Sequence, residues 1–199
     1  MRSLTTRTMT RTDQLEQVAA GELPRLRPIE LRDAPAVLDA FDDDDMRRQG
    51  TIRTLEEAEN WVGFMGGRGE RLALALDLGG SMIGAVVVSS IDLENETGWF
   101  WYWMHREHRG KGWMSRAAVT LADHALTAML LHRLELGHRA NNPASGGVAR
   151  AAGFILEGVE REKFLVHGDR VDVLTYSRLA TDPWPDTPRL PLDLPSSSL

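Results

Sequence analysis

The chain has 199 residues, no cysteine and a formal net charge of -6. It can form no disulfide, thiolate metal site or cysteine nucleophile, and its acidic balance argues against the basic face that nucleic-acid binding requires. With 42% hydrophobic and 26% charged residues it has the make-up of a globular domain, and no uncharged run approaches the ~20 residues of a membrane span.

Residues 1–20 are rich in Thr and Arg and read as a flexible N-terminal arm. Arg2, Arg7 and Arg11 are followed by no apolar run, so no secretory signal is expected and the protein is placed in the cytoplasm. A domain over 21–180 follows. Residues 26–29 read as a first strand, and Asp33 as the N-cap of a helix over 34–41. Residues 42–45 form an acidic run, which could attract a cationic amine or serve only as a solvated helix end. Thr54, Glu56 and Glu57 open a second helix over 54–64. Strands over 71–76 and 82–89 flank an Asp-Leu-Gly-Gly-Ser turn, and 97–105 is an aromatic strand whose side chains alternate between faces.

A long amphipathic helix is predicted over 113–129, a short strand over 134–136, a turn over 141–145 and a short helix over 148–152 closed by Gly153. Residues 154–163 and 171–179 read as closing antiparallel strands. Residues 181–199 carry five prolines and form a tail that rests on the surface through Trp184. The fold class is α/β, with a mixed, mostly antiparallel sheet flanked by helices.

The most informative segment runs from Met104 to Ser115. A strand ends, Gly110 and Gly112 follow, and an amphipathic helix begins. Bare amides at a helix N-terminus, reached through glycines, make an anion site, and Arg109 and Lys111 add positive charge. The plain alternative is a tight strand-to-helix connection. A Walker A loop fails because Trp113 follows Gly112 where Lys-Ser or Lys-Thr is needed. A Rossmann fingerprint lacks its third glycine, because Ser115 holds that position, and it falls after several antiparallel-looking strands.

Arg109-Gly-Lys-Gly112 resembles the pyrophosphate loop of the GCN5-related N-acetyltransferase (GNAT) superfamily. Asn142-Pro-Ala-Ser145 resembles the Asn-x-x-Ser turn of its RimJ/RimL branch, and Gly153-Phe-Ile-Leu-Glu-Gly158 resembles its Gly-Phe-x-x-Glu-Gly block. Leu26-Arg-Pro-Ile with Arg32-Asp33, Tyr102-Trp103 before the loop, and 172–179 at the end extend the resemblance over about 23–180. Trp101 stands where glycine is usual, Met114 replaces the last small residue of the loop, and Ala149 stands where many members carry a general-acid tyrosine.

The resemblance implies an acyl-CoA-dependent N-acyltransferase, with acetyl-CoA as co-substrate and no metal. Strands splayed at the acyl-CoA site would admit the pantetheine arm. Backbone groups of Trp103, Met104 and His105 would pair with it, one of them as an oxyanion donor. Arg109, Gly110, Lys111, Gly112, Trp113, Met114 and Ser115 would hold the pyrophosphate, and Asn142 would contact the pantetheine. Ser145 is the candidate donor to the leaving thiolate, with an N-cap as its plain alternative. Glu162 is the candidate base, beside Glu94, Glu96, Lys163 at the same aligned position, or a water. The acceptor implied is a small-molecule or protein N-terminal amine, without nucleic acid or membrane partners; a homodimer fits this branch. A succinyl-CoA or other acyl-CoA transferase is the alternative within the fold, with Arg47, Arg48, Arg53 and Arg106 as cations near the acyl end. A non-catalytic acyl-CoA sensor is the alternative outside enzymes. The six histidines are scattered, and His105 and His108 have no third ligand beside them, so no metal site is expected.

Overall fold

The computed structural model describes residues 23–43, 46, 50–67 and 69–195. The arm over 1–20, Asp44 and Asp45 of the acidic run, and Arg47 and Arg48 lie outside the described residues. The chain runs through β1 (Arg25–Pro28), a 3-10 turn (Leu31–Asp33), α1 (Ala34–Phe41), α2 (Leu55–Gly66), β2 (Leu72–Leu78), β3 (Ser81–Asp92) and β4 (Thr97–Met104). A second 3-10 turn (Arg106–His108) leads to α3 (Trp113–Thr127), β5 (Arg133–Arg139), α4 (Pro143–Ala151), β6 (Ile155–Val166) and β7 (Asp169–Leu179).

The strands form one sheet in the order β1-β2-β3-β4-β5-β7-β6. Every neighbouring pair is antiparallel except β4 and β5, which run parallel. Strand alternation divides the core in two. Phe100 and Met104 face one side with α3, α4, Phe154 and Tyr176. Trp103 faces the other side, with Trp101 packed beside it, against Phe41, Ala58 and Val62 from α1 and α2. No helix among the described residues is long and apolar enough to cross a membrane.

Local chemistry sets the element ends. Thr54 caps α2, accepting from the Glu57 amide, while Glu57 reaches back to the Thr54 amide. Asp33 does not cap α1 with its side chain. Its carboxylate is taken by the buried Arg27 guanidinium, at 2.7 and 2.8 Å, and by the Glu30 amide. The same guanidinium reaches Asp77 at the β2–β3 turn, so one buried cation joins three parts of the fold.

One sequence expectation needs correction. The helix predicted over 148–152 begins at Pro143, because Asn142 caps it and a proline at the first helical position is already shaped for it. The described part of the proline-rich segment forms a strap along the fold. Leu26 and Leu192 form a parallel bridge at the β1 edge, and the Leu190 amide donates to Thr120 on α3. Arg189 and Arg178 share Asp123, and Trp184 lies over the Arg178 guanidinium. The strap therefore covers the unpaired edge of β1. Leu190 is 4% exposed, so Leu190→Ala should cost about 2 kcal/mol in urea denaturation. An unchanged midpoint would show that the strap adds nothing to stability.

Candidate functional site

The site begins where β4 and β5 part. Their pairing covers only Thr97, Gly98 and Trp99 of β4, opposite Arg133, Leu134 and Glu135 of β5. From Phe100 onward β4 stays paired with β3 but has no strand partner on its other side among the described residues. A wedge opens there, bounded by one strand edge whose backbone groups make no ladder bonds.

The register decides which groups face the wedge. The His105 amide donates to Ile83 on β3, and the Glu96 carbonyl accepts from His132 and Arg133 on the other side. Backbone groups alternate along an extended strand. The amides of Tyr102 and Met104 therefore face the wedge, while those of Trp103 and His105 face β3. Of the backbone groups expected around Trp103, Met104 and His105, the Met104 amide is the one that faces the wedge. The Trp103 side chain instead packs edge-on to Phe41 and Trp61.

The wedge leads to the glycine loop. Gly110 and Gly112 have φ of +80° and +73°, left-handed values that favour glycine. Gly112 is the N-cap of α3 and has no side chain to cap it, so the first-turn amides of Trp113, Met114 and Ser115 are left for an outside acceptor. The Lys111 ammonium lies 4.6 Å from the centre of the Trp113 ring, near this helix end. The Arg109 Nε donates to the Met104 carbonyl at 3.0 Å, which ties the loop to the strand edge. His108 Nδ1 is buried without a hydrogen-bond partner among the described residues. A cradle of bare amides with cations beside it suits a phosphate group.

On the α3 and α4 side, Asn142 Oδ1 accepts from the Ser145 amide at 3.2 Å. Asn142, not Ser145, is thus the cap, and its amide nitrogen remains a donor. The Tyr102 phenol reaches the Ser145 carbonyl at 2.8 Å and the Ser145 hydroxyl at 3.1 Å. Burial pushes the Tyr102 phenol up to about 12, against the opposing pull of Ser145, so it stays protonated. In the sequence Tyr102 stands only as half of the Tyr102-Trp103 pair, and its site role is not expected there. Its alternation onto the α4 side was the available signal.

On the α1 side a cleft of about 410 Å³ is lined by Asp39, Asp42, Asp43, Met104, His105 and Arg109, among others. His105 Nδ1 lies 3.6 Å from Asp39, and its Nε2 is buried without a partner among the described residues. Burial lowers the His105 pKa and outweighs the Asp39 charge, so the ring is neutral at neutral pH. Asp43 is paired with Arg106 at 2.7 Å.

Glu162 lies on β6, the edge strand of the sheet. It sits at φ +54° on an irregular stretch of β6, its amide donates to Asp172, and β7 separates its strand from β5. Among the described residues no hydrogen bond or ion pair joins it to Tyr102, Ser145 or His105. No group of three or more metal-ligating side chains occurs among the described residues.

A family model described as an acetyltransferase (GNAT) domain matches residues 25–155. The ribosomal-protein-serine acetyltransferase of Escherichia coli (strain K12) is 33% identical over 98 residues, which is 49% of this chain and 55% of that protein. The aligned stretch thus spans about half of that relative. Two solved structures share the fold. One is the spermidine N-acetyltransferase from Vibrio cholerae in complex with CoA and spermine, with TM-score 0.72, 20% identity, and coverage of 80% of this chain and 96% of that one. The other is Mycobacterium smegmatis RimJ in complex with CoA-disulfide, with TM-score 0.69, 24% identity, and coverage of 78% and 81%.

Proposed function

Because this chain belongs to the acetyltransferase (GNAT) family, we propose that it transfers an acetyl group from acetyl-CoA to a primary amine by direct attack, with both substrates held together. One observation carries this reading. The β4–β5 wedge is walled by the Tyr102 and Met104 amides and runs to a helix N-terminus that has no side-chain cap.

When bound, acetyl-CoA supplies the acyl group as a thioester already activated toward an amine. The amides from Gly110 to Ser115, with the nearby Lys111 and Arg109 charges, would hold the pyrophosphate. The Met104 amide and the Asn142 side-chain nitrogen would hold the pantetheine. The Tyr102 amide would donate to the acyl carbonyl oxygen, where negative charge grows during attack. The Ser145 hydroxyl would donate to the departing sulfur. Neutral His105, which lines the same cleft as Met104, is the group proposed to take the amine proton.

The acceptor is a cationic amine drawn by Asp39 and Asp42 at the cleft. The spermine bound to the Vibrio cholerae enzyme and the ribosomal protein modified by the Escherichia coli relative supply the two classes to test, a polyamine and a protein N-terminus.

The experiment is release of CoA from acetyl-CoA in the presence of spermidine or of a peptide with an N-terminal serine. Turnover with at least one amine is expected. Ser145→Ala should lower kcat by about tenfold and leave acetyl-CoA affinity within about twofold, the size of one hydrogen bond to a charged group. Tight acetyl-CoA binding with no turnover across amines would turn the reading into a sensor of acyl-CoA.

A further inference from the structure

We propose that Tyr102 is the positioning residue of this site. Its phenol fixes the Ser145 hydroxyl at the wedge, so one residue joins the amide that faces the acyl carbonyl to the hydroxyl that faces the leaving sulfur. This rests on the acyl-CoA reading given above.

The contacts are specific. A carbonyl oxygen can only accept, so the 2.8 Å contact commits the Tyr102 hydroxyl proton to the Ser145 carbonyl. The 3.1 Å contact then has the Ser145 hydroxyl donating to the phenol oxygen. Ser145 is held from two sides, because its amide is taken by Asn142. A serine hydroxyl would otherwise sample three staggered positions, and this clasp selects among them before the reaction begins.

The clasp has a rigid frame. The Tyr102 ring packs edge-on to Phe100 at 6.3 Å, and Phe100 is fully buried. The next residue on α4, Gly146, lies against the buried His138 ring, and a Cβ there would come within 2.7 Å of Nε2. His138 in turn stacks on Tyr176 at 5.3 Å and holds the Arg139 carbonyl through Nδ1. The first turn of α4 therefore cannot come closer to β5, nor leave Tyr102 without breaking two contacts. Ala149, one turn further on, is fully buried and has no polar side-chain atom to serve the sulfur.

When negative charge appears on sulfur, the Ser145 proton turns from the phenol oxygen toward it. The Tyr102 proton stays on the Ser145 carbonyl, so the phenol still holds the first turn of α4 while the Ser145 hydroxyl turns. Because burial keeps the phenol protonated, this arrangement persists across the neutral and mildly alkaline range.

The test compares calorimetric binding of free CoA and of desulfo-CoA, which lacks the thiol, at about pH 9, near the ordinary ionisation of a thiol. The wild type should prefer CoA by about tenfold, the worth of a hydrogen bond to a charged group. Tyr102→Phe should cut that preference to about twofold while leaving desulfo-CoA affinity unchanged, which also reports an intact fold. Ser145→Ala should do the same, and the double variant should lose no more than Ser145→Ala alone. Full preference retained in Tyr102→Phe would overturn the positioning role. Loss in Tyr102→Phe without loss in Ser145→Ala would also overturn it, by making Tyr102 the direct donor. Failure of the acyl-CoA reading itself has a different signature, with neither compound bound by the wild type.

Discussion

Gly112→Asp is expected to weaken acetyl-CoA binding by at least about a hundredfold. Three effects act together at this position. Gly112 is the N-cap of α3 at φ +73° and ψ 0°, so a carboxylate there would fold onto the first-turn amides and satisfy them internally. It would also place a negative charge beside a phosphate, and two like charges about 4 Å apart at a protein surface repel by roughly 4 kcal/mol. The positive end of the helix would be neutralised as well. The fold should survive, because a Cβ at Gly112 meets nothing within 4 Å and aspartate tolerates the left-handed region. Gly112→Asn separates these effects. It carries the same size and the same backbone tolerance without the charge, and should lose roughly tenfold less affinity than Gly112→Asp. Equal losses in the two variants would show that shape, not charge, controls the loop.

Arg27→Ala should produce the largest loss of stability, about 3–5 kcal/mol, measured by urea denaturation. Arg27 is 4% exposed and donates to Asp33, Asp77 and the Pro28 carbonyl. Removing it strands two carboxylates, each 2% exposed, in the interior. The pH dependence has a definite sign. Burial alone would raise the Asp77 pKa, but Arg27, the Gly80 amide and Arg25 together hold it below the ordinary carboxylate value. A carboxylate depressed in the folded state stabilises above its unfolded pKa and loses that contribution as pH falls. The gap between wild type and Arg27→Ala should therefore narrow below about pH 4. A gap that is small at neutral pH would mean that water replaces the guanidinium.

The loop was legible in the sequence because its chemistry is local. Two glycines at a strand-to-helix junction leave few readings, and the cations stand beside them. The two core faces were legible from the alternation of Trp99 through Trp103. The edge of β4 that faces the wedge was not, because one hydrogen bond, from the His105 amide to Ile83, decides it. Shifting that bond by one residue would exchange the roles of Met104 and His105. The Tyr102–Ser145 clasp joins residues 43 apart in the chain, and only the fold brings them together.

Other misses had signals in plain sight. Asn142 followed by Pro143 is a helix start, yet the helix was predicted to begin five residues later. Asp33 has the residue type of a cap, but the buried Arg27 competes for it and wins with two hydrogen bonds. Proline density in the C-terminal segment excludes a helix, but it does not say whether the segment packs. Leu190 and Leu192, one buried in the core and one bridged to β1, decide that it does. Glu162 was placed by resemblance alone, and the register of β6 shifts between Glu160 and Phe164, where it sits.

The central claim is that the wedge and glycine loop hold an acyl-CoA. The most direct measurement is calorimetry of the purified protein with acetyl-CoA and, in parallel, NADH. The account predicts saturable one-to-one binding of acetyl-CoA, lost in Gly112→Asp, and no binding of NADH. Binding of NADH alone, or acetyl-CoA affinity unchanged in Gly112→Asp, would contradict it.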